Sequence, residues 1–311
     1  MQTIKTILVT GATGFLGSHL LTELLSANYS VVILTRNTTD FWRIHDVCPR
    51  VKNYVIGEQS IQSIFEANRI DLVVHLATCY RKATKSSDVA DMVETNITFP
   101  LELLEVGVSN GLKAFINTGT FFEYDCRKLP VTEDAPLSAF NLYAKTKTAF
   151  ECLLKTYSDK ILINTFRLFT PFGEKDNNKL VPFVIKQALS RQTINLSEGF
   201  QKLDFIYVKD IVGAYIRAVQ RFNTIEHQNE YELFNLGSGS ALSIRDVISE
   251  IERSLSMILN VKWGARSESD IPIAFADISK AQVMLDWSPS FSIQDGINRT
   301  VSYYRDSNAN K

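Results

Sequence analysis

The chain has 311 residues, with 33 Lys and Arg against 34 Asp and Glu, so its net charge is −1. That balance excludes a global basic field for nucleic acid or an anionic membrane, yet leaves room for a local patch that binds a phosphorylated small molecule. Cys48, Cys79, Cys126 and Cys152 stand apart with no Cys-x-x-Cys pair, which excludes a disulfide frame and a zinc ribbon and suits reduced thiols in the cytoplasm.

The N-terminal apolar run, MQTIKTILVTGATG, is too short for a signal peptide and is broken by Lys5. No stretch reaches the ~20 apolar residues of a membrane helix. Strands are expected at 5–11, 30–36, 53–57, 71–78, 114–120 and 161–168, each near-continuously apolar, as strands buried on both faces are. Helices are expected between them at 18–28, 88–111 and 141–158. This alternation predicts an α/β fold, a Rossmann-type doubly wound parallel sheet with right-handed crossovers. Further on, NLGSGSALSIRDVISEIERSL reads as a strand, a turn and a capped helix. The expected division is 1–165 plus about 206–238 for the dinucleotide domain, and 166–205 plus 239–311 for a smaller α/β substrate lobe. Ligand is expected beyond the carboxyl ends of the strands, in a cleft between the lobes.

Gly11, Gly14 and Gly17 follow the first strand in G-x-x-G-x-x-G spacing and lead into a helix. Such glycines let backbone approach a pyrophosphate whose charge the helix N-terminus stabilises. Where NAD folds place an acid on the adenosine ribose, the second strand ends in Thr35-Arg36. A guanidinium pairs with a 2′-phosphate, so NADP(H) is favoured over NAD(H).

The ordered series TGATGFLGSHL, VVHLAT, AFINTGT, YAKTK, RLFTPFG, NKLVPF, DFIYVKDIVGAY, FNLGSGS and MLDWSPS resembles the extended short-chain dehydrogenase/reductase superfamily, in its nucleotide-sugar epimerase/dehydratase branch. The resemblance runs nearly end to end. It implies that Thr120, Tyr143 and Lys147 act together on a carbinol or ketone. It also implies that Thr13, Phe15, Leu16, Leu76, Ala77, Thr78, Asn96 and Phe169 line the cofactor site, with Glu58 near the adenine. The chemistry stands on its own: a phenol can protonate the oxygen of a ketone receiving hydride, a neighbouring ammonium lowers the phenol's pKa, and a hydroxyl can hold that oxygen. Four residues along a helix put Tyr143 and Lys147 on one face.

A second Tyr-x-x-x-Lys, Tyr124 to Lys128, runs into Leu129-Pro130, where a loop is expected. Tyr124 therefore reads as a packing residue and Tyr143 as the proton donor. Dehydratases of this superfamily follow their Thr with Asp-Glu, and certain epimerase-reductases carry a Cys two positions on. Phe121 and Phe122 occupy those positions here. Neither exchanges a proton, so the site is limited to hydride transfer at one carbon, and the rings suit a deoxy or methyl-bearing sugar.

Thr-Phe-Phe with LTR and NKLVPF resembles the reductases of the CDP-abequose and CDP-paratose synthase type. The resemblance implies an NADPH-dependent 4-keto reductase making a CDP-linked deoxysugar for surface polysaccharide such as lipopolysaccharide O-antigen. The chain departs from the pattern at Leu203 and Thr170, where relatives carry Arg and Asn against the diphosphate. Asn178, Lys179 and Arg266 are the remaining candidates there. Arg81, Lys82 and Lys85 read as a solvated loop, and the four histidines show no metal-ligand spacing. The enzymatic alternative is a nucleotide-sugar 4-epimerase or 4-dehydrogenase retaining NAD; the alternative of another class is a non-catalytic cofactor-binding scaffold. The helices at 88–111 and 141–158 resemble the pair through which relatives dimerise, which implies a homodimer.

Overall fold

The computed structural model describes residues 3–81, 85–176, 179–225, 230–264 and 271–309. The chain forms two compact units: Met1–Asp125 with Pro136–Leu168 and Ala214–Phe234, and Cys126–Ala135 with Phe169–Gly213 and Asn235–Lys311.

The first unit carries a seven-stranded sheet of β1 (Thr6–Thr10), β2 (Ser30–Thr35), β3 (Lys52–Val55), β4 (Leu72–His75), β5 (Ala114–Thr120), β6 (Leu162–Leu168) and β7 (Glu230–Leu236). Its order is β7-β6-β5-β4-β1-β2-β3, and the pairs from β3 through β6 are all parallel. The reversal of direction beside β1 puts a switch point between β1 and β4, where α/β sheets place ligands. Strand β5 spans the expected AFINTGT run, with Thr120 paired to Leu168 at its carboxyl end.

Helix α1 (Phe15–Ser26) buries Leu20, Leu21, Leu24 and Leu25, a spacing that makes one apolar stripe. Helix α2 (Ile61–Asn68) starts on Ser60, whose hydroxyl accepts the Ser63 N–H. The single helix expected at 88–111 is instead α3 (Ser86–Val93), a π-turn at Glu94–Thr98, and α4 (Phe99–Ser109). The reason is Pro100: it cannot donate to the residue 96 carbonyl, so the ladder widens and Phe99 donates five residues back to Glu94. Helix α5 (Leu142–Leu154) starts on Asn141, whose side chain accepts the Ala144 N–H at 2.8 Å. Phe65, Leu103, Leu104, Phe115, Phe150 and Ile163 fill the layer between these helices and the sheet. Each such burial contributes roughly 1.5–3 kcal/mol relative to exposure.

The second unit is built of short strand pairs. Thr170–Phe172 lies parallel to Phe205–Tyr207, Ile194–Leu196 lies parallel to Val261–Trp263, and Lys202–Leu203 sits between Leu242–Ser243 and Ile273–Ala274. Asp204 is its hub. Fully buried, it accepts N–H groups of Ser238 at 2.6 Å, Ala276 at 3.0 Å and Gly239 at 3.1 Å, and the Ser238 hydroxyl at 2.7 Å. The capped helix expected after FNLGSGS is Ile244–Leu255, with Ser243 and Asp246 each accepting the other's backbone N–H. Segment Cys126–Ala135 belongs to this unit because Val131 donates to Phe275 and accepts from Asp277 and Asn235. No described helix is long and apolar enough to cross a membrane.

Candidate active site

The glycine loop is a place where backbone packs on backbone. The Thr10 hydroxyl accepts the Leu76 and Ala77 N–H groups at 3.2 Å and meets His75 Nδ1 at 2.9 Å, which binds the ends of β1 and β4 together. Gly11 has φ +68°, and a Cβ there would lie 2.7 Å from the Ala77 nitrogen. A Cβ on Gly17 would lie 2.1 Å from the Gly11 oxygen, so neither position tolerates a side chain. Gly14, extended at the start of α1, offers no side-chain cap, and Phe15 is buried beneath it while Thr13 and Leu16 are half-buried. A cradle of bare backbone at an uncapped helix N-terminus fits a pyrophosphate.

At the end of β2, Thr35 is buried and donates to Asn53 at 2.8 Å, whereas Arg36 is exposed. The Arg36 N–H donates to the Thr39 hydroxyl at 2.9 Å, which folds the following loop back. That loop brings Arg43, 4.2 Å over the Trp42 ring, to within 3.5 Å of the Thr13 carbonyl. Sequence reasoning missed Arg43; a second guanidinium seven residues after Arg36 was the available signal. Glu58 is exposed in the turn after β3, two residues beyond Ile56, which donates to the Thr35 carbonyl.

Thr120 closes β5, almost fully buried, and its hydroxyl accepts the Phe122 N–H at 3.3 Å. Tyr143 and Lys147 are one turn apart on α5, with Lys147 buried. Burial pushes the Tyr143 phenol well above its ordinary value; a hydrogen bond with Thr78 pulls it down, and Glu123 and Tyr80 add to the rise. Sequence chemistry expects Lys147 to lower this phenol; instead burial dominates and the group stays protonated. Burial also lowers Lys147 to about 8, against the upward pull of Glu123 and Glu151.

Asn96 is fully buried in the π-turn. Its oxygen accepts from Cys79 N–H at 2.8 Å and the Thr78 hydroxyl at 3.2 Å, and its nitrogen donates to the Cys79 carbonyl at 2.9 Å and Thr146 at 3.0 Å. With its four bonds made, Asn96 braces the segment after β4 against α5. Leu76 and Ala77 lie half-buried against Gly11, and Thr78 is exposed.

Phe121 is buried and Phe122 half-buried, their ring centroids 4.5 Å apart; Phe122 also meets the exposed Phe140 edge-on at 5.1 Å. Tyr124, buried under the Arg167 guanidinium at 4.4 Å, is a packing residue, and Lys128 lies exposed in a loop. A group that sequence reasoning missed is Glu123 with Glu151 and Arg167, all three buried in the first unit. Phe169, buried, and Thr170, half-buried, belong to the second unit, where their N–H groups donate to Leu236 and Asp204; Lys179 is exposed before the helix Leu180–Leu189. Asn178, Arg266 and Lys82 lie outside the described residues.

Residues 7–237 match the model of the NAD dependent epimerase/dehydratase family. Among curated relatives, the chain is 28% identical over 309 residues to CDP-abequose synthase of Salmonella muenchen, covering 96% of this chain and 97% of that protein. It is 29% identical over 321 residues to UDP-glucuronate 4-epimerase of Thermodesulfobacterium geofontis, covering 96% of each. Among solved structures it resembles UDP-glucuronic acid 4-epimerase from Bacillus cereus, in complex with UDP-glucuronic acid and NAD, with TM-score 0.86 and 28% identity over 97% of this chain and 99% of that one. The fold is also that of UDP-glucose-4-epimerase from Stenotrophomonas maltophila with bound NAD, at TM-score 0.88 and 22% identity over 99% of this chain and 100% of that one. With its glycine cradle, parallel sheet and strand-end Thr120 beside a Tyr143–Lys147 helix, the chain belongs to the NAD dependent epimerase/dehydratase family.

Proposed function

We propose that the protein is an NADPH-dependent reductase of the 4-keto group of a nucleotide-linked deoxyhexose, a CDP-linked sugar being the first candidate. In this reading it works in the cytoplasm as a homodimer and supplies a deoxysugar for surface polysaccharide such as lipopolysaccharide O-antigen. The observation that carries the reading is the pair of rings after Thr120. Phe121 and Phe122 offer no acid or base, so proton delivery falls to Tyr143. The raised pKa of Tyr143 keeps the phenol protonated at neutral pH, which suits a donor in ketone reduction more than a base in alcohol oxidation. The likeness to CDP-abequose synthase supports the choice of sugar class.

The loop 11–17 and the start of α1 would hold the cofactor pyrophosphate, Arg36 and Arg43 the 2′-phosphate, and Lys147 the nicotinamide ribose. Bound there, the reduced nicotinamide supplies a hydride for C4 of the sugar. Tyr143 gives its proton to O4 while the Thr120 hydroxyl holds that oxygen. The Lys147 ammonium offsets the charge left on the phenolate. Thr170, Asn178, Lys179 and Arg266 are the candidates for the sugar-linked diphosphate, and Phe122 with Phe140 would face its apolar carbons. Incubation with NADPH and CDP-, dTDP- and GDP-4-keto sugars, with products identified by NMR, tests the reading; no product from any of them overturns it.

A second reading is a nucleotide-sugar 4-epimerase that retains NAD. The 28% identity to the NAD-bound Bacillus cereus epimerase supports it. Purified protein carrying NAD that survives gel filtration would favour this reading over the first.

A further inference from the structure

Beneath the end of β5 lies a cluster of charges with almost no access to solvent. Glu123, Glu151 and Arg167 are exposed by 0%, 2% and 2%. They arrive from three elements: the turn Phe121–Glu123 after β5, helix α5 and strand β6. Arg167 commits its fork to one of the two acids. Its Nη2 donates to Glu151 Oε2 at 2.5 Å and its Nε to Glu151 Oε1 at 3.3 Å. Glu123 is left with a 3.6 Å contact to the same Nε and a 3.4 Å bond from the Thr148 hydroxyl. Its one short bond is to backbone: Oε1 accepts the N–H of Thr120 at 2.8 Å.

Both carboxyl groups crowd Gly119. A Cβ on that residue would sit 2.6 Å from Glu151 Oε1 and 2.8 Å from Glu123 Oε1. Two acids this close, away from water, share one guanidinium that hydrogen-bonds Glu151 and reaches Glu123 only at 3.6 Å, and they do not both ionise. The Glu151 charge opposes ionisation of Glu123, and a proton on Glu123 relieves that repulsion.

We propose that Glu123 is a positioning residue of the Thr120–Tyr143–Lys147 site: it holds a proton beside the Arg167-paired Glu151 and, in that neutral form, fixes the backbone of Thr120. The site groups are already arranged around it. Lys147 and Glu151 face it from α5, with Tyr143 a turn earlier; Tyr231 faces it from β7, and Arg167 from β6, itself stacked on Tyr124. Burial first, and the Glu151 charge second, raise Glu123 to about 8. Ionised Glu123 would support the ammonium of Lys147 and oppose ionisation of Tyr143. The pair therefore couples the geometry of Thr120 to the charge of the proton-donating residues. This placement rests on the functional reading above only for its kinetic consequence.

The test uses the full chain and the variants Glu123→Gln, Glu123→Ala and Glu151→Gln. Glutamine reproduces a neutral acid, accepting from Thr120 and donating to Glu151. Infrared spectroscopy of the wild type should show the C=O band of a buried protonated carboxyl at pH 7, absent in Glu123→Gln and in Glu151→Gln, where Arg167 is freed for Glu123. Amide exchange at Thr120 should stay slow in Glu123→Gln and accelerate in Glu123→Ala. In turnover, Glu123→Gln should keep kcat within about threefold at neutral pH, while Glu123→Ala loses about 100-fold, the scale of a small misplacement. The alkaline limb of the kcat profile should move to lower pH in Glu123→Gln, because Lys147 loses the charge that supports it; a merely structural glutamate would leave that limb in place. A wild type without the carboxyl band, or unchanged Thr120 exchange in Glu123→Ala, overturns the proposal. Absence of turnover in the wild type counts against the reductase reading, and the infrared and exchange results still decide for Glu123.

Discussion

Tyr80 meets Tyr143 edge-on, with ring centroids 4.9 Å apart. The contact holds the phenol against the segment that Asn96 braces, so Tyr143 is fixed from the β4 side as well as by its own helix. Replacing Tyr143 by Phe keeps this ring contact and deletes only the hydroxyl. Turnover should fall by about 10²–10⁴-fold, the usual worth of a positioned proton donor. Cofactor affinity, read by quenching of tryptophan fluorescence, should change by less than about threefold. Full turnover in Tyr143→Phe would remove Tyr143 from the role.

Lys147 and Glu123 carry opposite pH signatures. Glu123 is raised from 4.5 to about 8, so between those values the folded chain binds the extra proton and stability falls as pH rises. Lys147 is lowered from 10.5 to about 8, so between 8 and 10.5 the unfolded chain binds more protons and stability rises again. The two groups together place a shallow minimum of Tm near pH 8. Glu123→Gln should flatten the acid side of that minimum and Lys147→Met the alkaline side. A wild-type Tm that moves monotonically through pH 8, with both variants parallel to it, would contradict these assignments.

Arg36 and the loop that carries Arg43 back to Thr13 set the expected preference for a 2′-phosphate. Arg36→Asp puts a carboxylate where the phosphate would bind. Its NADPH affinity should fall at least tenfold, a loss of about 1.4 kcal/mol, with NADH affinity unchanged or improved. Arg43→Ala should weaken NADPH more than NADH. Equal affinities for NADPH in the wild type and Arg36→Asp would end the argument for NADP(H).

Asp204 supports the second unit without touching the proposed chemistry. Its removal in Asp204→Ala strands three N–H groups, at a cost of roughly 1–3 kcal/mol for each group left unsatisfied. Chemical denaturation should show a loss of at least about 3 kcal/mol. A loss under about 1 kcal/mol would mean that water replaces the carboxylate.

The parts of the fold that rest on local pattern were legible in the chain. AFINTGT reads as a doubly buried strand because each residue is apolar or small, and Asn141 reads as the start of a helix because it precedes an apolar period. Tyr124 separates from Tyr143 on the same grounds, since Pro130 denies it a helix. The π-turn was harder, because Pro100 signals a break but not how a ladder is widened to absorb one. The buried cluster was not legible at all. Glu123, Glu151 and Arg167 lie far apart along the chain, and each alone looks like a solvated side chain. Only the parallel register of β5 on β6, with α5 across them, makes each one's burial tolerable.

The reductase reading requires a single hydride delivered to C4 from an exchanging cofactor. It is tested most directly with NADPH deuterated at the transferable position of the nicotinamide, incubated with the enzyme and a CDP-4-keto deoxysugar. The expected product carries one deuterium at C4 of the sugar, with one NADPH consumed for each molecule formed. A product that is inverted at C4, free of deuterium and formed without consumption of added cofactor would contradict the account.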